Sequence, residues 1–170
     1  MPALWVYLFL TAAPLYLANS SAMVFGGKTP IDFHLTWRDG RPIFGMGKTW
    51  KGAGMGILVG TFSGFLLHYL FPAFTHGISP EYVTYSFLLS FGAIAGDAIG
   101  SFIKRRLNLK SGHPAPLLDQ LDFVIGGLVF GLFLYVPTPL EAGILLLITP
   151  TLHSLFNRLA FMLKIKSVPW

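Results

Sequence analysis

The sequence contains no cysteine and has few charged residues. Without cysteine, neither a disulfide nor a thiolate-bound zinc site can form. Charged residues make up 11% of the 170 residues and hydrophobic residues 54%, whereas an ordinary soluble domain has about 25% charged residues. This balance excludes a typical soluble protein and predicts a single polytopic membrane domain over 1–170.

Several other signals are missing from the chain. The stretch 2–25 is apolar but has no positively charged start or cleavage site, so we expect a membrane span there and not a signal peptide. His68 and His153 have no partners at metal-ligand spacing, which favours packing or polar contacts for both. We find no internal repeat, although carriers usually have one.

Five apolar stretches are present, and a span needs ~20 residues. We therefore predict an all-α membrane protein with five transmembrane helices and two loops on one side of the membrane. The spans cover about 2–25, 52–71, 82–103, 121–136 and 141–162, and the loops cover 26–51 and 104–120. Glycines at every fourth position in 52–64 and 92–100 predict close packing of the second and third helices.

The basic residues predict the orientation of these helices. All twelve Lys and Arg, including Lys166, lie in the loops 26–51 and 104–120 or towards the end of the chain. The positive-inside rule places this side and the C-terminus in the cytoplasm, with the N-terminus outside. We expect a multi-pass protein of the cell membrane whose basic cytoplasmic face attracts a polyanion such as a nucleoside triphosphate.

The stretch 97–122 combines acidic and basic residues with apolar runs. If the third helix continues through Arg105, four polar residues follow the i, i+4, i+7, i+8 pattern and share one face. These residues are Asp97, Ser101, Lys104 and Arg105. Asp119 and Asp122 begin the next helix three positions apart. Carboxylates from two helices with cations between them predict a Mg²⁺ site completed by substrate phosphates.

Structural interpretations of the same residues remain open. Lys104 and Arg105 also suit a positive-inside stop for the third span. Asp119 also suits the first turn of a helix, where a negative charge complements the helix dipole. Asp97 is harder to explain in this way, because it is a lone carboxylate inside an apolar, glycine-rich helix.

The first loop contains a second polar motif, 45–49, with the sequence GMGKT. Its glycines would let backbone N–H groups approach an anion, and Lys48 and Thr49 would add donors. The spacing is not that of a P-loop, and no hydrophobic strand precedes it. A charged turn that anchors the helix end is an equally good interpretation.

The pattern Ser101-x-x-Lys104-Arg105, with Lys110 and the closing Asp119-x-x-Asp122, resembles the C-terminal signature of CDP-diacylglycerol synthases. Further segments resemble the archaeal branch of that family, the CDP-archaeol synthases, so that the resemblance covers nearly the whole chain. These segments are Asn19, 29–32, Arg41 and 47–52. Ser111 stands where the bacterial pattern has Asp, and the element 112–116 before the closing carboxylates is compressed.

The resemblance implies transfer of a cytidylyl group from CTP to an isoprenoid ether-lipid phosphate, 2,3-di-O-geranylgeranyl glycerol 1-phosphate, with release of pyrophosphate. It implies Asp97 and Asp119 as Mg²⁺ ligands. We expect Asp122 to hold a second cation or to orient the ligands of the first one. Lys104 joins these three as a catalytic candidate. The expected substrate-binding residues are Asn19, Lys48, Thr49, Ser101, Lys104, Arg105 and Lys110.

The nucleophile in this reaction is a phosphate oxygen that is ionised near pH 7, because the second pKa of a phosphomonoester is ~6. No general base is required, so His113 need not be catalytic. No nucleic-acid partner is expected, and the sequence leaves the oligomeric state open. Two alternatives remain: another phospholipid or polyprenyl-phosphate nucleotidyl- or phosphotransferase, and a small ion-coupled transporter that uses Asp97 as an ion ligand.

Overall fold

A computed structural model describes residues 3–164, and this part of the chain is all-helical, as predicted. The helices are α1 (Leu4–Val24), α2 (Trp50–Leu70), α3 (Pro72–His76), α4 (Tyr82–Arg106), α5 (Leu118–Gly131) and α6 (Pro139–Met162). No strand forms among the described residues, which contain two isolated bridges, Pro30 with Thr49 and Thr36 with Pro42. Lys166 and the C-terminus, which we predicted on the basic side, lie outside the described residues.

Three of the described helices, α2, α4 and α6, are long and apolar enough to cross a membrane. The chain is therefore a multi-pass membrane protein. Helix α1 equals α2 in length, with 21 residues each, but Asn19, Ser20 and Ser21 reduce its hydropathy. Helix α5 has 14 residues, about 21 Å at 1.5 Å per residue, which is shorter than the ~30 Å hydrocarbon core.

The helix bounds differ from the predicted spans at two places that matter for the site. Helix α4 continues to Arg106 instead of ending at 103, which makes Lys104 and Arg105 helical. Helix α5 begins at Leu118, before the predicted start at 121, and ends at Gly131, before the predicted end at 136. Proline disfavours helical conformation in the residue before it, so Pro137 lies in the connection between α5 and α6. Pro139 occupies the first position of α6, where its missing N–H costs no helical hydrogen bond. The connection between α2 and α4 contains the short helix α3.

Glycines determine how closely the helices pack. The buried residues of α2 are Gly52, Gly56, Gly60 and Gly64, the predicted stripe. A Cβ on Gly52 or Gly56 would collide with a backbone carbonyl of α1, and one on Gly64 with Ser86 of α4. The glycines of α4 do not face α2: Gly92, Gly96 and Gly100 pack against α5. The glycine stripe of α2 therefore packs against α1 and α4, whereas the glycine stripe of α4 packs against α5.

Helix α4 is the centre of the bundle and contacts α1, α2 and α5. In the most apolar 18-residue stretch of α4, 44% of the residues are buried, against 17% in the corresponding stretch of α2 and 11% in that of α6. Tyr82 and Tyr85 fill the core near its first turns, and the Tyr82 hydroxyl donates to the Leu10 carbonyl at 2.7 Å. Because α4 is central, polar residues at its C-terminal end lie in the middle of one end of the bundle.

Candidate active site

A cavity of about 510 Å³ lies at that end of the bundle. The first loop 26–49, the last turns of α4, the loop 107–117 and the C-terminal parts of α1 and α6 all contribute to its lining. Eight of the predicted site residues line it: Asn19, Lys48, Thr49, Asp97, Ser101, Lys104, Arg105 and Asp119. The cavity has the size of an ordinary small-molecule site, for which volumes of about 300–1,000 Å³ are usual.

Asp32 holds the first loop in shape. Its Oδ2 accepts the backbone N–H groups of Phe44 at 2.8 Å and Gly45 at 2.9 Å, and its Oδ1 accepts that of His34 at 3.1 Å. Burial raises the pKa of the Asp32 carboxyl, but the three N–H donors outweigh burial and hold this pKa below its usual range. Asp32 is therefore a structural anchor of the turn that presents Lys48.

We expect the Asp32→Asn variant to loosen this loop, because the NH₂ group that replaces one carboxylate oxygen cannot accept the backbone N–H groups that bind Asp32. The expected loss is about 1–3 kcal/mol of local stability. Since the folded pKa is lowered, the contribution of Asp32 is present above the unfolded pKa of about 3.9 and is lost as pH falls below it. Hydrogen exchange of residues 44–48 measures the effect. Asp39→Asn, in an exposed part of the same loop, is the control, and equal exchange in both variants would contradict the assignment.

Two arginines attach the loop to the end of α4. Arg41 donates from Nη1 to the carbonyls of Arg106 at 2.7 Å and Arg105 at 3.4 Å, and so caps the last turn of the helix. Arg106 in turn donates to the Pro42 carbonyl at 2.6 Å. Its pair with Asp39 at 2.7 Å is solvent-exposed and adds little to this attachment. The loop is thus fixed over α4, where Lys48 can reach Asp97.

Two ion pairs lie in the cavity. Lys48 Nζ is 2.6 Å from Asp97 Oδ2, and Lys104 Nζ is 2.6 Å from Asp119 Oδ1. All four side chains are partly buried, with exposed fractions between 13% and 29%. The structure therefore brings together acidic residues of α4 and α5 with lysines of the first loop and α4.

Asp122 lies beside this group but does not line the cavity. Its carboxylate packs against Gly100, where a Cβ would collide with Oδ2. Gly100 is three residues after Asp97 on α4, and the charges of Asp97, Lys48 and Asp119 all act on Asp122. Glycine at position 100 thus makes room for a third carboxylate between α4 and α5.

Arg105 and Ser101 are both buried, with 5% exposed. The Nε of Arg105 has no hydrogen-bond partner, and the guanidinium lies next to Gly45 in the first loop. A buried guanidinium with an unused donor is suited to an anion. Lys110, which we predicted as a substrate ligand, does not line the cavity.

Thr49 has a structural role at the start of α2. Its hydroxyl oxygen accepts the N–H groups of Gly52 at 3.1 Å and Gly27 at 2.9 Å, so Thr49 is the N-cap of α2. The interpretation of 45–49 as a turn that anchors the helix end is therefore correct for Thr49. Lys48 is the member of the motif that reaches an acidic partner.

The cavity also contains polar residues that we did not predict as ligands, namely Tyr16, Ser20, Ser111, His113, His153 and Asn157. His153 and Asn157 are four residues apart on α6, a spacing that places both on one face, and they contact each other at 3.2 Å. The four-residue spacing of His153 and Asn157 was the sequence signal that could have indicated these two residues. Ser111 and His113 lie in a turn whose position the sequence pattern does not specify.

The donor set suits a hard cation held by few protein ligands. No three acidic or histidine side chains within 3–164 converge closely enough to hold a metal by themselves. Mg²⁺ is usually bound by one or two carboxylates plus substrate phosphates, so Asp97 and Asp119 on the cavity wall fit that mode. An all-protein metal cage does not fit.

The whole chain matches known proteins. The sequence model of the family described as CarS-like, CDP-archaeol synthase, matches residues 2–170. The chain belongs to the CDP-archaeol synthase family. The resemblance noted in the central motif is thereby confirmed, and the chain is an enzyme, which rules out the transporter alternative.

Individual relatives agree with this family assignment. The chain is 52% identical to a CDP-archaeol synthase of Pyrococcus abyssi, over 92% of this chain and 93% of the relative. It is 49% identical to one of Methanocaldococcus jannaschii, over 92% of each chain. A solved structure, described as an intramembrane enzyme for archaeal membrane lipids biosynthesis, matches with a TM-score of 0.79 and 35% identity, covering 88% of this chain and 91% of that chain.

Proposed function

We propose that the protein transfers the cytidylyl group of CTP to 2,3-di-O-geranylgeranyl glycerol 1-phosphate, forming CDP-archaeol and pyrophosphate. The observation that carries this proposal is the cavity in which Asp97 and Asp119 lie together with Lys48, Lys104 and Arg105. This combination suits two phosphate-bearing substrates that must be brought together. The name shared by the relatives, CDP-archaeol synthase, supports CDP-archaeol as the product.

The proposed topology has five spans, with the N-terminus outside and the cavity facing the cytoplasm of the cell membrane. Helix α5 would cross together with the segment 132–136 that follows it. The distribution of charge supports this orientation, because the basic residues described lie at the same end of the bundle as the cavity: in the first loop, at the end of α4 and towards the end of α6. CTP is then available to the site from the cytoplasm.

In this mechanism, a lipid phosphate oxygen attacks the α-phosphorus of CTP. The new P–O bond forms as the bond between the α-phosphorus and the bridging oxygen breaks, and pyrophosphate leaves with that oxygen. The attacking phosphate is already ionised near pH 7, because its second pKa is ~6. The protein therefore supplies orientation and positive charge, and no side chain has to remove a proton.

The residues have distinct proposed roles. Lys48, Lys104 and Arg105 bind the triphosphate or the lipid phosphate, and Ser101 and Asn19 add neutral hydrogen-bonding groups. Asp97 and Asp119 hold Mg²⁺, and Asp122 orients them or holds a second cation. When bound, Mg²⁺ neutralises phosphate charge and polarises the reacting P–O bonds. Lys110 and Thr49 remain weaker candidates, since one lies off the cavity and the other caps a helix.

An assay with purified protein tests the proposal. Detergent-solubilised enzyme with Mg²⁺, labelled CTP and the ether-lipid phosphate is expected to release pyrophosphate and form a labelled lipid. The same assay with ATP, GTP or UTP, and with a polyprenyl phosphate as acceptor, provides the controls. No turnover with CTP, together with activity on another donor or acceptor, would favour a different phospholipid or polyprenyl-phosphate transferase.

A further inference from the structure

The two ion pairs of the cavity and one backbone N–H group occupy three of the four carboxylate oxygens that Asp97 and Asp119 offer to the proposed metal site. Asp97 Oδ2 is bound to Lys48 at 2.6 Å. Both oxygens of Asp119 are engaged, since Oδ1 binds Lys104 at 2.6 Å and Oδ2 accepts the N–H of Ala115 at 2.8 Å. A cation that binds these carboxylates must therefore compete with the lysines.

Either ligand alone would leave charges without partners. A cation bound to Asp97 and Asp119 would release two ammonium groups into a cavity that already contains Arg105. A triphosphate alone would draw the lysines away and leave two carboxylates uncompensated close to Asp122. Removing one partner of a partly buried ion pair is unfavourable, because the remaining charge is poorly solvated. When both ligands bind, every charge gains a new partner.

We propose that Lys48 and Lys104 exchange partners during binding, from Asp97 and Asp119 to the phosphates, and that this exchange couples metal binding to nucleotide binding. The inference rests on the proposed function for the identity of the two ligands. Coupling between two binding events is reciprocal, and a factor of about 5–150 in affinity is usual. Each ligand is therefore expected to bind weakly alone and more tightly with the other.

Binding of Mn²⁺ to the purified, detergent-solubilised protein without nucleotide tests the first half of the exchange. Electron paramagnetic resonance measures free and bound Mn²⁺ and needs no turnover. The K48M and K104M variants are expected to bind Mn²⁺ about 10-fold more tightly than the wild-type protein, because the competing ammonium is gone. Asp97→Asn is expected to weaken the binding, which shows that the measured ion is at this site.

The K51M variant is the matched control. Lys51 is exposed and follows the same loop, but forms no ion pair in the described part of the chain, so K51M removes one charge without freeing a carboxylate. K48M and K104M affinities equal to that of K51M would overturn the proposal, since the gain would then be a general charge effect. Testing the two lysines separately keeps the experiment decisive if one variant fails to fold.

The second half is tested by repeating the titration with CTP. The complex of Mn²⁺ and CTP in solution is the same for every variant, so differences in the ratio of affinities with and without CTP come from the protein. We expect the Mn²⁺ affinity with CTP, divided by the Mn²⁺ affinity without CTP, to fall in K48M and K104M but not in K51M. An unchanged ratio in K48M and K104M would overturn the coupling. If wild-type protein shows the exchange but no turnover with CTP, the proposed function fails while the exchange remains.

Discussion

Replacing Asp97 with asparagine is expected to lower CTP-dependent turnover by about 10²–10³-fold or more, because one of the two carboxylates proposed to bind Mg²⁺ is lost. Asp97 lies on the central helix α4, on the wall of the cavity and in contact with Lys48. Asparagine keeps the shape of the side chain, so we expect the helical fold to persist. Pyrophosphate release measures the turnover, and circular dichroism measures the helix content.

Asp39→Asn is the control for this substitution. Asp39 pairs with Arg106 and is the more exposed partner, at 37%. Exposed pairs of this kind contribute little, about 0–1 kcal/mol, so the variant is expected to keep near-normal turnover. Near-normal turnover in a folded Asp97→Asn variant would refute the role proposed for Asp97.

The Gly96→Ala variant is expected to have the largest effect on stability. A Cβ on Gly96 would collide with the Asp122 carbonyl and lie 3.0 Å from the Gly126 Cα, and both contacts are backbone atoms of α5 that cannot rotate away. Helices α4 and α5 must then separate, at a cost of about 1–3 kcal/mol. Turnover is expected to fall as well, because α5 positions Asp119. Thermal unfolding in detergent measures the stability.

Gly54→Ala is the matched control on α2. A Cβ on Gly54 has no neighbouring atom within 4 Å, and alanine favours a helix over glycine by roughly 0.5–1 kcal/mol. This variant should therefore unfold at the wild-type temperature or slightly above it. If Gly96→Ala unfolds at the same temperature as Gly54→Ala, the close packing of α4 on α5 is not required for stability.

Local patterns were sufficient to predict the five longer helices, although not α3, and one face of the site. The spacing of Asp97, Ser101, Lys104 and Arg105 requires only that one helix continues past 103, and α4 does so. The glycine stripe of α2 is also a local pattern, and its four members are the buried residues of that helix. The pattern does not specify which neighbour each stripe meets, because that depends on the path of the whole chain.

The contacts that assemble the site join residues far apart in the sequence. Lys48 meets Asp97 from 49 positions away, and Arg41 caps α4 at Arg106 from 65 positions away. A helical period carries no information about such pairs. Thr49 is different, because a threonine directly before a helix is an ordinary N-cap signal.

A structure of the enzyme with CTP and Mn²⁺ bound, in which anomalous scattering locates the ion, is the most direct test of whether Asp97 and Asp119 hold a cation that also binds the phosphates. We expect an ion about 2 Å from carboxylate oxygens of both Asp97 and Asp119, with phosphate oxygens completing its shell and Lys48 and Lys104 bound to phosphate. An ion elsewhere, or CTP bound while Lys48 still pairs with Asp97, would contradict it.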